Sequence, residues 1–146
     1  MADTFQLEIV TPERKVVSEQ VEEVQLPGKK GYLGILAGHA PLITELAAGE
    51  ITYRRTGDAK EQRLAVAWGF AEVLPDKTTL LAEIAERPEE IDVEAAKKLR
   101  ALALERLRSA SEVEDVHRYT REYEAAQTRL EVAARAGFAD MANIVP

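Results

Sequence analysis

The sequence predicts a β + α protein, an all-β sandwich or barrel followed by two antiparallel helices. Apolar and polar residues alternate in the first half, which is the two-residue period of strands. Seven of the eight glycines lie between Gly28 and Gly69, where tight turns between strands need them. After Glu86 the apolar residues recur every three to four positions, as they do in helices.

The strands are predicted from short alternating runs separated by turn residues. The first run places Phe5, Leu7 and Ile9 on one face and Gln6 and Glu8 on the other. Later runs have the same period or are continuously apolar, and they contain Val24 and Leu26, Ile51 and Tyr53, Leu64, Val66 and Trp68, and the segment 79–84. Short strands at this spacing are typical of a sandwich or barrel.

A charged, proline-bearing stretch separates the two halves. We therefore predict a β domain at residues 1–86, a linker at 87–91 and a helical domain at 92–146. Asp92 is a candidate N-cap for a first helix that runs from Val93 to about Ser109. Its predicted apolar face contains Leu99, Leu102, Ala103 and Leu107.

The second helix has the more regular pattern. Its apolar residues are spaced three and four apart, and they are Val116, Tyr119, Tyr123, Ala126, Leu130 and Ala133. Gly137 stands where a left-handed C-cap belongs. A three-residue turn, 110–112, makes the two helices an antiparallel hairpin. The apolar stripe is either the hairpin core or a surface that also serves a partner or a second conformation.

Composition excludes several classes of protein. The net charge is −7, which disfavours binding to phosphate backbones, so no nucleic-acid partner is expected. Cysteine is absent, which excludes disulfides and thiol nucleophiles. No signal peptide and no apolar run of about 20 residues is present, so we expect a cytoplasmic chain without direct membrane insertion.

No catalytic or metal-binding constellation is found in the sequence. There is no phosphate-binding P-loop and no Gly-x-Ser-x-Gly motif. His39 and His117 have no neighbours at metal-ligand spacing; His39 is either a structural loop residue or an interface contact, and His117 is expected to be solvated. We predict no catalytic residue, no metal and no obligatory cofactor.

Three segments resemble one known family. Residues 26–42 read LPGKKGYLGILAGHAPL, residues 46–51 read LAAGEI and residues 68–73 read WGFAEV. Together with the opening FQLEIVTP at 5–12 and the helical hairpin, they resemble the epsilon subunit of bacterial and plastid F-type ATP synthases over nearly the whole chain. The resemblance implies a ten-stranded β-sandwich and a two-helix C-terminal domain.

The resemblance also implies partners and a task. The sandwich would bind the gamma subunit and the c-ring, and the matching interface residues are Gly31, Tyr32, Gly34, His39 and Pro41. The hairpin would restrain ATP hydrolysis by reaching the alpha/beta catalytic head through Arg106, Arg118, Arg121 and Arg129. A peripheral position at the cytoplasmic face of the bacterial membrane follows.

Two other interpretations remain open. Some family members bind ATP on the folded hairpin, and Glu86, Ile91, Asp92, Arg118 and Arg129 match positions of that site. Alanine at 95 and 125 and leucine at 102 replace family arginines, so Asp92 is alternatively a plain helix cap. If the resemblance is set aside, the chain would be a free-standing sandwich hydrolase whose helices dimerise, but it lacks a plausible triad.

Overall fold

A computed structural model describes residues 3–138. The chain divides into two compact units, of which the first ends at Glu86 and the second begins at Arg87. The first unit contains all the strands of the described chain, and the second contains both long helices. The predicted β + α fold class is therefore confirmed.

Seven strands form the first unit, rather than about ten. They are β1 (Phe5–Val10), β2 (Lys15–Gly28), β3 (Gly31–Leu36), β4 (Leu42–Leu46), β5 (Gly49–Arg55), β6 (Glu61–Leu74) and β7 (Lys77–Glu86). The count is lower because β2 and β6 have 14 residues each and continue through a change of partner. β2 pairs with β1 as far as Val21 and with β3 from Glu23 onwards. β6 likewise passes from β5 at Val66 to β4 at Gly69.

The sheet closes around one core. β1 pairs antiparallel with β2 and parallel with β7, so the first strand lies between the second and the last. The predicted alternation is confirmed: Phe5, Leu7 and Ile9 are buried, and so are Ile51 and Tyr53 on β5. Burying these large apolar side chains, each contributing about 1.5–3 kcal/mol, is the main source of stability for the sandwich.

The partner change in β6 coincides with an unusual backbone. Trp68 has a φ of 60° and Gly69 a φ of 124°, both in the region that favours glycine. A β-carbon at Gly69 would overlap the Leu81 carbonyl oxygen of the adjacent strand. Trp68 is half-buried, so the prediction that it continues the inward alternation of Leu64 and Val66 was wrong.

The second unit begins with the segment 87–91, where a short 3-10 helix spans Pro88–Glu90. Helix α1 (Val93–Ser109) follows, and the Asp92 carboxylate accepts a hydrogen bond from the Ala95 N–H at 3.0 Å, as an N-cap does. Helix α2 spans Val113–Arg135.

The C-terminal end of α2 is capped as predicted. Gly137 has a φ of 88°. Its N–H donates to the Ala134 carbonyl at 3.0 Å, and the Phe138 N–H donates to the Ala133 carbonyl at 2.8 Å. These two bonds define a Schellman motif, which satisfies carbonyl groups left free at the helix end.

The buried face of α1 is formed by alanines, of which Ala103 was predicted and Ala96 was not, while two of the three predicted leucines are exposed and Leu107 is half-buried. Leu99 and Leu102 are 50% and 41% exposed, whereas Ala96 and Ala103 are buried. Ala96 packs with Leu130 and Ala134, which joins the start of α1 to the end of α2 and makes the hairpin antiparallel. Small side chains allow two helix backbones to approach closely, so the leucines are left on the outer side.

Candidate docking surfaces

The predicted interface residues lie on β3 and on the loop that follows it. Tyr32 is 60% exposed, and Gly31, Gly34 and Pro41 are also exposed. His39 is half-buried, and its Nδ1 lies 2.8 Å from the Ala40 carbonyl oxygen. These residues therefore form one continuous stretch of the chain, called here the 31–41 segment.

The sequence analysis missed a second exposed surface. Ile43 on β4, Phe70 on β6 and Leu81 on β7 are 71%, 53% and 58% exposed. Phe70 lies directly opposite Leu81, and Glu72, two residues along β6, lies opposite Ile43. The three apolar side chains line a shallow groove of about 290 Å³. We call this surface the Phe70 patch.

A signal for this patch was present in the sequence. Leu42 and Ile43 are adjacent, as are Leu80 and Leu81. Because neighbouring side chains on a strand point to opposite faces, one of each pair faces away from the core wherever nothing covers the other face of the sheet. Leu80 is fully buried, and Leu81 points outward. Contiguous apolar surface of this kind marks interaction sites more often than single exposed residues do.

Acidic side chains border the Phe70 patch. Glu45 on β4, Glu72 on β6 and Glu83 on β7 are exposed. Each lies two residues along its strand from a patch residue, and therefore on the same face of the sheet. Glu45 forms an ion pair with Lys29 at 2.9 Å, which holds the pKa of this carboxyl below its ordinary value. A partner that covers the patch is therefore expected to be apolar at its centre and basic at its rim.

A second group of ion pairs joins β2 to β5. Arg54 contacts Glu22 at 3.2 Å and Glu23 at 3.3 Å, and Arg55 contacts Glu19 at 2.6 Å. The Gly57 N–H and the Arg54 guanidinium both donate hydrogen bonds to the Glu22 carboxylate. These bonds, the one from Gly57 most strongly, lower the pKa of Glu22 below the ordinary 4.5. The carboxylate form is thus favoured in the folded state.

Acidification is expected to weaken the sandwich through Glu22 and Glu45. Because the folded pKa of each lies below 4.5, their contribution is complete above that value and is lost as the pH falls through the folded pKa. Urea unfolding measured from pH ~7 down to pH ~3 should show a stability that declines below about pH 4.5. Glu22→Gln should reduce that decline, and an unchanged pH profile for this variant would contradict the assignment.

The hairpin brings together two of the four predicted arginines. Arg106 of α1 and Arg118 of α2 lie 5.6 Å and 4.8 Å from the centre of the Tyr119 ring, within range of cation–π attraction. Arg118 also contacts Asp115 at 3.0 Å. Arg121 is exposed one turn further along α2, and Arg129 is half-buried nearer its end. The turn end of the hairpin is therefore rich in arginine.

The residues matched to an ATP site are spread along the hairpin. Asp92 precedes α1, and Ile91 beside it is buried. Arg118 lies near Arg106, fourteen residues and about 21 Å along α1 from Asp92. Arg129 is eleven residues beyond Arg118, in the C-terminal half of α2. Glu86 ends β7 and is half-buried.

Neither long helix of residues 3–138 is long and apolar enough to cross a membrane. The same residues contain no cluster of three or more His, Asp or Glu side chains suited to holding a metal ion.

The fold and these surfaces can be compared with known proteins. The family model described as "ATP synthase, Delta/Epsilon chain, beta-sandwich domain" matches residues 4–88. That match defines the class of the first unit: it is the β-sandwich domain of an ATP synthase delta or epsilon chain.

Curated relatives specify the family further. An ATP synthase epsilon chain of Koribacter versatilis is 62% identical over 110 residues, which cover 75% of this chain and 76% of the relative. An ATP synthase epsilon chain of Geotalea uraniireducens is 42% identical over 93% of this chain and 98% of the relative. The chain belongs to the family of ATP synthase epsilon chains, and it is a non-catalytic subunit of that complex.

Solved structures support the fold. A chain in the mitochondrial ATP synthase of Euglena gracilis, solved as OSCP, F1 and c-ring, matches with a TM-score of 0.74 and 23% identity. The match covers 93% of this chain and 82% of that one. A chain of the central stalk and c-ring of Tetrahymena thermophila ATP synthase matches with a TM-score of 0.65 and 10% identity, over 88% and 96%. The architecture is thus shared across distant sequences.

Proposed function

We propose that the chain is a rotor subunit of the central stalk, which docks onto the gamma subunit and the c-ring and couples proton-driven rotation to ATP synthesis. The observation that carries this proposal is the Phe70 patch, an apolar surface with an acidic border on a subunit of a rotary complex. The 31–41 segment supplies a second contact, towards the ring. The chain would then be held peripherally at the cytoplasmic face of the bacterial membrane.

The Phe70 patch has the composition of an interface centre. Apolar and aromatic side chains at the middle of an interface, with polar groups around them, contribute most of the binding energy. Ile43, Phe70 and Leu81 come from three different strands and are positioned by the sheet register rather than by a loop. A rigid platform of this kind loses little conformational entropy on binding.

The hairpin is proposed to inhibit ATP hydrolysis by contacting the alpha/beta catalytic head. Its support is the group of arginines on α1 and α2, because guanidinium groups pair well with carboxylates on a partner. The nucleotide-sensing alternative has no specific support in residues 3–138, since the Asp92 carboxylate already caps α1.

Docking can be tested with a charge placed in the Phe70 patch. Phe70→Glu is expected to weaken binding of the full-length chain to purified gamma subunit by at least about 30-fold, because the variant buries an unpaired charge where an aromatic anchor belongs. Isothermal titration calorimetry measures the change. Phe70 is half-exposed, so the variant is expected to fold.

A matched control adds the same charge away from the patch. Thr56 lies in the exposed turn before β6. It is far from the patch along the chain, because β6 runs nine residues, or about 30 Å, from its first residue to Phe70. The Thr56→Glu variant should bind gamma as the unaltered chain does. Equal affinities for Phe70→Glu and Thr56→Glu would contradict docking through the patch, and failure of the unaltered chain to bind would contradict the proposed function.

A further inference from the structure

We infer that Tyr32 is a positioning residue. Its hydroxyl group ties the 31–41 segment to the body of the sandwich and thereby pre-organises the surface that meets the c-ring. This inference rests on the proposed docking function. Its physical basis is a chain of contacts that runs from β3 across β2 to β5 and β6.

The start of the 31–41 segment needs such an anchor. Its strand, β3, pairs with β2 on one edge, and no other described strand pairs with it. Gly31 and Gly34 contribute no side chain, and a β-carbon built at either would meet nothing within 4 Å. Ile35 is fully buried in the core, and Leu33 and Ala37 pack against that core, so the rest of the segment is already held. The part that depends on Tyr32 is the start of β3, and strand ends with few side-chain contacts open most easily.

Tyr32 spans the neighbouring strand. Its partner in the register is Pro27 on β2, and its Oη accepts a hydrogen bond from the Glu50 N–H of β5 at 2.9 Å. β5 pairs with the opposite edge of β2, because Gln25 faces both Gly34 and Thr52. One side chain on β3 therefore joins three strands.

Gly49 provides the space for this crossing. A β-carbon at Gly49 would lie 2.7 Å from the Tyr32 Oη and 2.7 Å from the Pro27 Cβ, closer than real contacts allow. The absence of a side chain at Gly49 is thus a condition for the position of the tyrosine hydroxyl.

The anchor point is itself fixed. The Glu50 carboxylate accepts a hydrogen bond from Arg63 of β6 at 3.0 Å, and the Glu50 side chain is only 15% exposed. β6 is also the strand that carries Phe70. The contacts from Tyr32 to Arg63 therefore set the start of the 31–41 segment in a constant position relative to the Phe70 patch.

A fixed relation between two contact surfaces matters when both engage one assembly. If the 31–41 segment were free to move, binding to gamma and ring together would include the cost of ordering it. The Tyr32 hydroxyl removes that cost in advance, without itself having to touch the partner.

The test compares Tyr32→Phe and Gly49→Ala in the full-length chain. Tyr32→Phe keeps the exposed ring and removes the oxygen, and Gly49→Ala keeps the tyrosine and displaces it. Hydrogen–deuterium exchange of the Glu50 amide should accelerate about tenfold in Tyr32→Phe, the effect of one lost hydrogen bond. Both variants should bind a gamma–c-ring complex about three- to tenfold more weakly, with the affinity for gamma alone unchanged.

Tyr53→Phe on β5 is the matched control, because it removes a tyrosine hydroxyl that donates to Glu19 at 2.7 Å within the same sandwich, and it should leave both affinities unchanged. Unaltered exchange at Glu50, or faster exchange with unaltered affinity for gamma–c-ring, would overturn the inference. Equal weakening towards gamma alone and gamma–c-ring would overturn it in favour of general destabilisation. If Tyr32→Phe binds normally and Tyr32→Ala does not, the aromatic ring of Tyr32 touches the partner directly and the positioning role of its hydroxyl is wrong. If the unaltered chain does not bind gamma, the proposed function itself fails first.

Discussion

Replacing Gly69 by alanine is expected to destabilise the sandwich by about 3 kcal/mol or more. Two costs add at this position. The φ of 124° is strained for any residue with a β-carbon, and that carbon would overlap the Leu81 carbonyl oxygen. Because the obstacle is backbone, the site has no flexible side chain that can move away. β6 and β7 must separate locally, which also disturbs Phe70 and Leu81.

Thermal unfolding followed by circular dichroism measures this loss. A decrease in Tm of roughly 12 °C or more is expected for a domain of this size. Gly34→Ala is the matched control, because its φ is not in the left-handed region and a β-carbon there meets nothing within 4 Å. Equal stabilities for the two variants would show that the backbone at Gly69 relaxes freely.

Removing residues 92–146 is expected to raise ATP hydrolysis by the assembled enzyme about fivefold or more, within the usual range of coupling energies, while assembly and coupling are retained. The sandwich core contains only residues 5–85, so this part of the chain has its own hydrophobic interior. The Phe70 patch and the 31–41 segment both lie within it. What the truncation removes is the arginine-bearing hairpin.

A full-length variant separates the effect of the arginine charges from the effect of the hairpin's presence. Alanine at Arg106, Arg118, Arg121 and Arg129 retains good helix formers and removes four cations. If the arginines make the inhibitory contacts, this variant should raise the rate of ATP hydrolysis nearly as much as the truncation does. Equal hydrolysis rates with and without residues 92–146, measured by a coupled ATPase assay, would refute inhibition by the hairpin.

The sequence predicted elements well where local chemistry determines structure. The alternation of Phe5, Leu7 and Ile9 specifies which face is buried, because the period of a strand is two. Asp92 and Gly137 were found as caps because capping depends on a few neighbouring backbone groups.

The predictions failed where tertiary packing decides between alternatives. On α1 both the leucines and the alanines recur at helical spacing, so Ala103 was predicted correctly, but only the close approach of α2 selects Ala96 for the interior and leaves Leu99 and Leu102 exposed. The ten strands implied by the family resemblance exceed the seven observed, since β2 and β6 each change partner without a break. The Phe70 patch was missed because its members come from three strands whose order in the sheet the sequence does not state.

The position of β1 between β2 and β7 has a consequence for how the chain acquires its structure. Residues 6–10 must find residues 77–81, about seventy positions later, before the sheet can close. During synthesis the β1 edge that pairs with β7 therefore stays unpaired until nearly the whole first unit has left the ribosome. Long-range pairing of this kind slows folding to milliseconds or seconds, whereas the hairpin needs only nearby residues and forms sooner once made.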